Sequence, residues 1–494
     1  MMARFRSRPS LLQLSVAALA VLASATAALW SARGESESPS RPTRVAAAAR
    51  QPQNAQPAAL PGHGYLGTTS CTASNCHGGA KAGTTVGNEY TIWIQKDPHA
   101  TAFTTLYSRE SQQIAARLNL GPAYQAQVCL DCHTLNPHDF QRGFHDLNTV
   151  QDGVTCEHCH GPAERWIEPH KRADWKLRSE AEKASLGFRN TEDLLARTRA
   201  CVECHVGAPG RDVNHDLIAA GHPRLYFEMS AYHANMPRHW SRSKDLKQNS
   251  PALEARLWAI GQVAMAEAAL GLLADRAGNV DGVWPEFAEY GCFACHHDLS
   301  APSWRQNRGS SHRPGEYPWG TWHFPLLARL ANEVGGVDAA RLEGALASLD
   351  TSMRRPAPDR AKVAAEAEAT RVLVSDWAEQ LNAMPFSPEL VDRLLVLLAG
   401  ESDAVVGSNW DGAAQVYLGA VALHLARADL GRSGGAALPD GAVISQNLHG
   451  IRSFLQFSTS GAAERYASPK TFDQPQIDDI RARLHQIRQL VENP

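Results

Sequence analysis

Five times along 494 residues, two cysteines are followed at once by a histidine. The runs are CTASNCH (Cys71, Cys76, His77), CLDCH (Cys129, Cys132, His133), CEHCH (Cys156, Cys159, His160), CVECH (Cys201, Cys204, His205) and CFACH (Cys292, Cys295, His296). No cysteine lies outside them. With 21 histidines in the chain, five such coincidences have a chance of about one in ten million on composition. C-x-x-C-H is the attachment signature of c-type haem. Two residues between the cysteines let each sulfur reach one vinyl group along a porphyrin edge, and the next residue then lies beneath the iron as its proximal ligand.

Other readings of paired cysteines fit less well. Structural zinc takes four ligands and does not require a histidine after every second cysteine. A disulfide across two residues is strained and tends to be redox-active. The first run has four intervening residues. Such a loop can bulge and still bring both sulfurs to the vinyls, which is the expectation there; attachment through Cys76 alone, or no haem, are the lesser options. The sequence therefore predicts five covalently bound haems c. At about fifty residues per haem, the chain is too short to wrap each in its own core. The macrocycles must be the core, close enough to pass electrons to one another.

The N-terminus reads as an export signal or membrane anchor over 1–33. Arg4, Arg6 and Arg8 precede an uncharged alanine-rich run with small-residue cleavage sites. Residues 34–61 are rich in Ser, Pro and Ala and predict a flexible tether. Residues 62–323 hold all the cysteines and every histidine except His424, His449 and His485. One helix, 251–277, interrupts their loops. Residues 324–494 predict a helical domain, with helices opening at Ser387-Pro388, running over 410–425, and from about Gln476 onward. The expected fold class is mainly α with extensive loops, a haem-organised cytochrome domain followed by an α-helical one. A net charge of -3 with no basic stripe excludes nucleic acid as the expected partner.

GVTCEHCHGPAERWIEPH resembles the third-motif region of the cytochrome c-554 family of multihaem cytochromes, related to hydroxylamine oxidoreductase. WIQKDPHATAF and NHDLIAAGHPRLYFE resemble two further segments of that family and its larger relatives. The resemblance covers roughly 65–240. The longer first motif, the fifth motif and the C-terminal third depart from it. It implies His99, His170, His222 and His215 as distal iron ligands, with pairing left open. His239 joins them, with His233 as its rival. His323 is a candidate cap for the fifth haem. His158 and His297 are expected to face solvent. Arg224 reads equally as a partner for a haem propionate or an ordinary surface arginine.

Histidine on both faces fills the iron and favours electron transfer, whereas an open face binds small molecules. The reading is an exported cytochrome, periplasmic or in the cell envelope, relaying electrons between redox partner proteins, with a quinol-oxidising or nitrogen-cycle enzyme among the candidates. The alternative is an enzyme with one five-coordinate haem acting on hydroxylamine, nitric oxide or nitrite.

Overall fold

The computed structural model describes residues 64–79, 85–135, 151–242, 245, 252–296, 316–433, 440–455 and 472–493. The export signal, the tether and His297 lie outside them. The longer helices are α1 (Glu89–Lys96), α2 (Arg109–Arg117), α3 (Gln127–His133), α4 (Cys156–His160), α5 (Leu194–His205), α6 (His215–Ala220), α7 (Met229–Asn235) and α8 (Leu253–Gly278). After them come α9 (Leu327–Val334), α10 (Ala339–Met353), α11 (Arg360–Ala383), α12 (Pro388–Gly400), α13 (Trp410–Ser433), α14 (Gly441–Leu455) and α15 (Gln474–Glu492). Among the described residues, extended pairing is limited to two isolated bridges, Ala208 with Arg211 and Tyr290 with Trp319. The chain is mainly α.

Local chemistry sets the helix ends. Ser387 caps α12 with Pro388 at its first position. Asp473 and Gln476 form a capping box on α15. Helix α13 runs on past Leu425 to Ser433 because residues 426–430 contain no breaker and Ala426 and Arg427 are buried; Gly431 falls only in its last turn.

Helix α8 is apolar on all sides. Leu257, Trp258, Ile260, Val263 and Leu270 are fully buried. Its length and composition would allow a membrane crossing, yet 78% of its apolar window is buried inside the protein. A helix apolar all round belongs at the centre of a fold. Here it packs most extensively on α11, then on α5 and α13. One continuous apolar core runs from Leu194 to Val491. The change at 323–324 is thus visible in the cysteines but not in the core. All described residues fall in one compact unit.

Helix α5 joins the two kinds of chain. Leu194, Leu195, Thr198 and Val202 are buried, while Cys201, Cys204 and His205 carry the fourth motif from the same helix. Arg199 ties α5 to α8 and α11 through Glu267 (3.0 Å) and Glu379. The region of the first three motifs has a separate small cluster of Phe103, Leu106, Ala115 and Ala123. That scarcity of apolar core agrees with a segment organised around large cofactors.

Glu228 caps α7, accepting from the backbone N–H of Ser230 (2.9 Å) and Ala231 (2.7 Å). Burial pushes its carboxyl from 4.5 up to about 7, against those two donors. The folded state therefore holds the proton more tightly than the unfolded chain. The associated stability is fully present below pH 4.5 and is lost as pH rises through 7, on the order of 2–3 kcal/mol. Urea unfolding at pH 5 and pH 8 should show this loss, and Glu228→Gln should flatten it.

Candidate functional site

The motifs are held in different backbone forms. The second, third and fourth sit on α3, α4 and α5. The fifth occupies a 3₁₀ turn, Cys292–Ala294. The first is a looped turn closed by Cys76 N–H to Ala73 O at 2.8 Å, which accommodates its two extra residues. None of the ten cysteines forms a disulfide. The fold sets the first motif beside the third and the second beside the fourth: the Cys71 and Cys156 thiols interact, as do those of Cys132 and Cys204.

The third motif is pinned at both ends by glycines that admit no side chain. Gly153 has φ +74°, and a Cβ there would lie 2.6 Å from the His99 carbonyl. Val154 donates to that carbonyl at 3.0 Å. Gly161 has φ +82°, and a Cβ would meet the Gly187 carbonyl at 2.1 Å. Only glycine tolerates both the backbone angle and the contact. The segment is thereby pressed against the chain that carries His99.

Four of the five motif histidines have a second histidine ring near them. The ring centres of His77 and His170 are 6.3 Å apart, nearly parallel at 14°. His205 and His99 are 6.0 Å apart at 79°. His160 and His239 are 6.5 Å apart at 74°. His296 and His215 are 6.4 Å apart at 29°. His222, the remaining candidate, is partly buried and lies on the chain just past α6. Arg117 fixes its position by holding the last carbonyl of α6, Ala220, at 2.7 Å, and Gly221 then turns the chain with φ +119°. Two imidazoles bound to one metal from opposite sides, each through a bond of about 2.0–2.1 Å, have ring centres about 6 Å apart.

Hydrogen bonds orient these rings. Nδ1 of His77 faces Glu89 (3.1 Å), that of His99 faces Asp97 (2.9 Å), that of His133 the Ala102 carbonyl (2.8 Å), and that of His222 the Pro223 carbonyl (2.8 Å). His170 Nδ1 donates to the Ile167 carbonyl. A ring whose Nδ1–H is committed to an oxygen presents Nε2 as the free donor, the usual support of a metal-bound imidazole. Burial holds His160 and His205 at about 4, which keeps both in the neutral, ligating form. At His99 the Asp97 carboxylate outweighs burial and the value is raised. This donor set fits haem.

Other histidines are occupied elsewhere. His233 Nε2 accepts from Arg197 (2.9 Å), itself paired with Asp245 (2.9 Å), so His239 rather than His233 faces the third motif. His323 lines a cavity of about 40 Å³ with Arg224, Arg276 and Glu289, and burial lowers it to about 3. His424 bonds Ser445 and His485 bonds Gln489, both between helix side chains.

The structure corrects the expectation for His158. It does not face solvent. Thr155 N–H donates to its Nδ1 (3.0 Å), and its Nε2–H donates to the Thr134 carbonyl (2.9 Å) just past the second motif. Burial lowers it to about 3. It locks the second and third motifs together. Its position between two cysteines gave no sign of this, because Thr134 is distant in sequence. Sequence reasoning also missed Glu157. Its buried carboxylate gathers the N–H groups of Leu66, Gly67 and Ala163, anchoring the chain that leads into the first motif. Arg224 is not on the surface: its side chain is 12% exposed.

Residues 71–161, from the first motif through the third, match the family model described as cytochrome c554 and c-prime. That segment is therefore similar to cytochromes c, and the fourth and fifth motifs lie outside the match. No curated protein and no solved structure matches the chain.

Proposed function

We propose that this chain is an exported pentahaem cytochrome c that relays electrons between redox partner proteins in the periplasm or cell envelope. One observation carries the reading: four of the five motif histidines stand opposite a second histidine at a separation suited to one shared iron. Iron ligated on both faces passes electrons and binds no substrate. In this reading His77, His133, His160, His205 and His296 are the proximal ligands. Their distal partners are His170, His222, His239, His99 and His215 in that order. The ten motif cysteines form the thioethers. The chain's own residues fix imidazole orientation, keep the inner histidines neutral and exclude water from the third and fourth sites. Neighbouring motifs one and three, and two and four, provide short steps for an electron.

The test is spectroscopic. Pyridine haemochrome absorbance should report five haems per chain, with low-spin iron throughout. Two ring arrangements occur, near-parallel at His77/His170 and His215/His296, and near-perpendicular at His99/His205 and His160/His239. Electron paramagnetic resonance of the oxidised protein should therefore show two classes of low-spin signal, since ligand-plane orientation sets the splitting of the iron d orbitals. A high-spin signal in the unaltered protein that shifts on adding nitric oxide would overturn the relay in favour of the enzyme.

A further inference from the structure

The fifth motif has a charged group built against it from an unexpected direction. The Arg224 guanidinium lies 3.3 Å from Cys292 Sγ. It stacks over the Tyr226 ring at 5.0 Å. Its carboxylate partner is Asp411 on α13, at 3.5 Å. Asp411 is 6% exposed, and it accepts a second hydrogen bond from Thr321 Oγ1 at 2.6 Å. Gly291, next to Cys292, is bonded to Pro318 at 2.8 Å, so the Thr321 segment flanks the motif directly. A buried cation and a buried anion thus sit together, with the cation against the Cys292 sulfur. The anion comes from the C-terminal helices.

We infer that Arg224 and Asp411 form an electrostatic pair that sets the reduction potential of the fifth haem, which gives α13 a role in electron transfer. The inference rests on the reading of Cys292, Cys295 and His296 as a haem site. Reduction takes one electron from a redox partner and converts ferric to ferrous iron, so the site becomes one charge more negative. A buried cation nearby stabilises that product and raises the potential; a buried anion lowers it. Screening is weak because both groups are largely out of solvent. Arg224 is the nearer of the two to the attachment sulfur and dominates. Asp411 moderates it. Both act through the field and neither touches the iron, so they are tuning residues.

Potentiometric titration of the full-length holoprotein, followed in the visible and by electron paramagnetic resonance, tests this. Arg224→Gln should lower the midpoint of one haem among five and leave the other four in place. Asp411→Asn should raise the same midpoint. Arg224→Lys keeps the charge and should stay closer to the unaltered protein than Arg224→Gln, which a purely structural role would not predict. If Arg224→Gln loses haem, Asp411→Asn and Arg224→Lys still decide the sign. Shifts of equal sign in both charge variants, or no shift with all five haems retained, would overturn the inference. Four haems in the unaltered protein, with Cys292 open to alkylation, would instead remove the fifth site and the function proposed above.

Discussion

His239→Ala is expected to open one of five haems, converting a low-spin signal to a high-spin one that binds cyanide or nitric oxide. His233→Ala should leave the spectrum low-spin. The two residues are six apart and both sit in the run YHANMPRHW, so sequence alone cannot separate them. The structure does so through their partners. His233 Nε2 is committed to Arg197, which is held in turn by Asp245. His239 stands 6.5 Å from His160, and Trp240 packs edge-on against it at 5.1 Å. Loss of a histidine ligand should change spin state completely at that one iron and should lower its affinity for the ferric state. The opposite result, an open haem in His233→Ala and none in His239→Ala, would exchange their roles. Loss of His233 should cost stability instead, because Arg197 keeps its charge but loses a buried acceptor.

Trp258→Ala should destabilise the cytochrome region and the C-terminal helices together. Trp258 is fully buried in the second turn of α8, and its ring lies 2.7–2.9 Å from where a Cβ on Gly419 of α13 would be. Removing a buried tryptophan typically costs about 3–5 kcal/mol. Because α8 contacts α5, α11 and α13 in one core, the loss should not be confined to one region. Denaturation followed by far-ultraviolet circular dichroism, which reports the helices, and by Soret absorbance, which reports the haem surroundings, should move by the same amount. Two separated transitions, with only the helical one shifted, would show that the core does not couple them.

What could be read from the chain depended on how local the signal was. The motif spacing points to attachment and proximal positions because the chemistry of a vinyl-bridging pair is contained within five residues. His99, His170, His215, His222 and His239 stood out as distal candidates, and the structure places His99, His170, His215 and His239 near motif histidines. Their pairing was not legible. His170 follows the third motif yet faces the first, and His99 follows the first yet faces the fourth; only the folded chain decides this. Glu157 and His158 looked incidental because their partners lie far away, at Leu66, Gly67 and Thr134. The helix at 251–277 was legible as a helix and observed as Leu253–Gly278. Its burial partners were not, since an all-round apolar pattern does not show which face meets which neighbour.

The two faces of α5 have a kinetic consequence under the proposed function. Electron tunnelling falls off exponentially with the gap between donor and acceptor. Leu194, Leu195 and Val202 seat α5 in the helical core, and the same helix presents Cys201, Cys204 and His205. The position of the fourth centre is therefore set by leucine packing against α8 and α11. In that sense the C-terminal third acts as a ruler. It need not touch an electron to govern how fast one hops, because a small slide of α5 on its apolar bed would lengthen one gap and shorten the next.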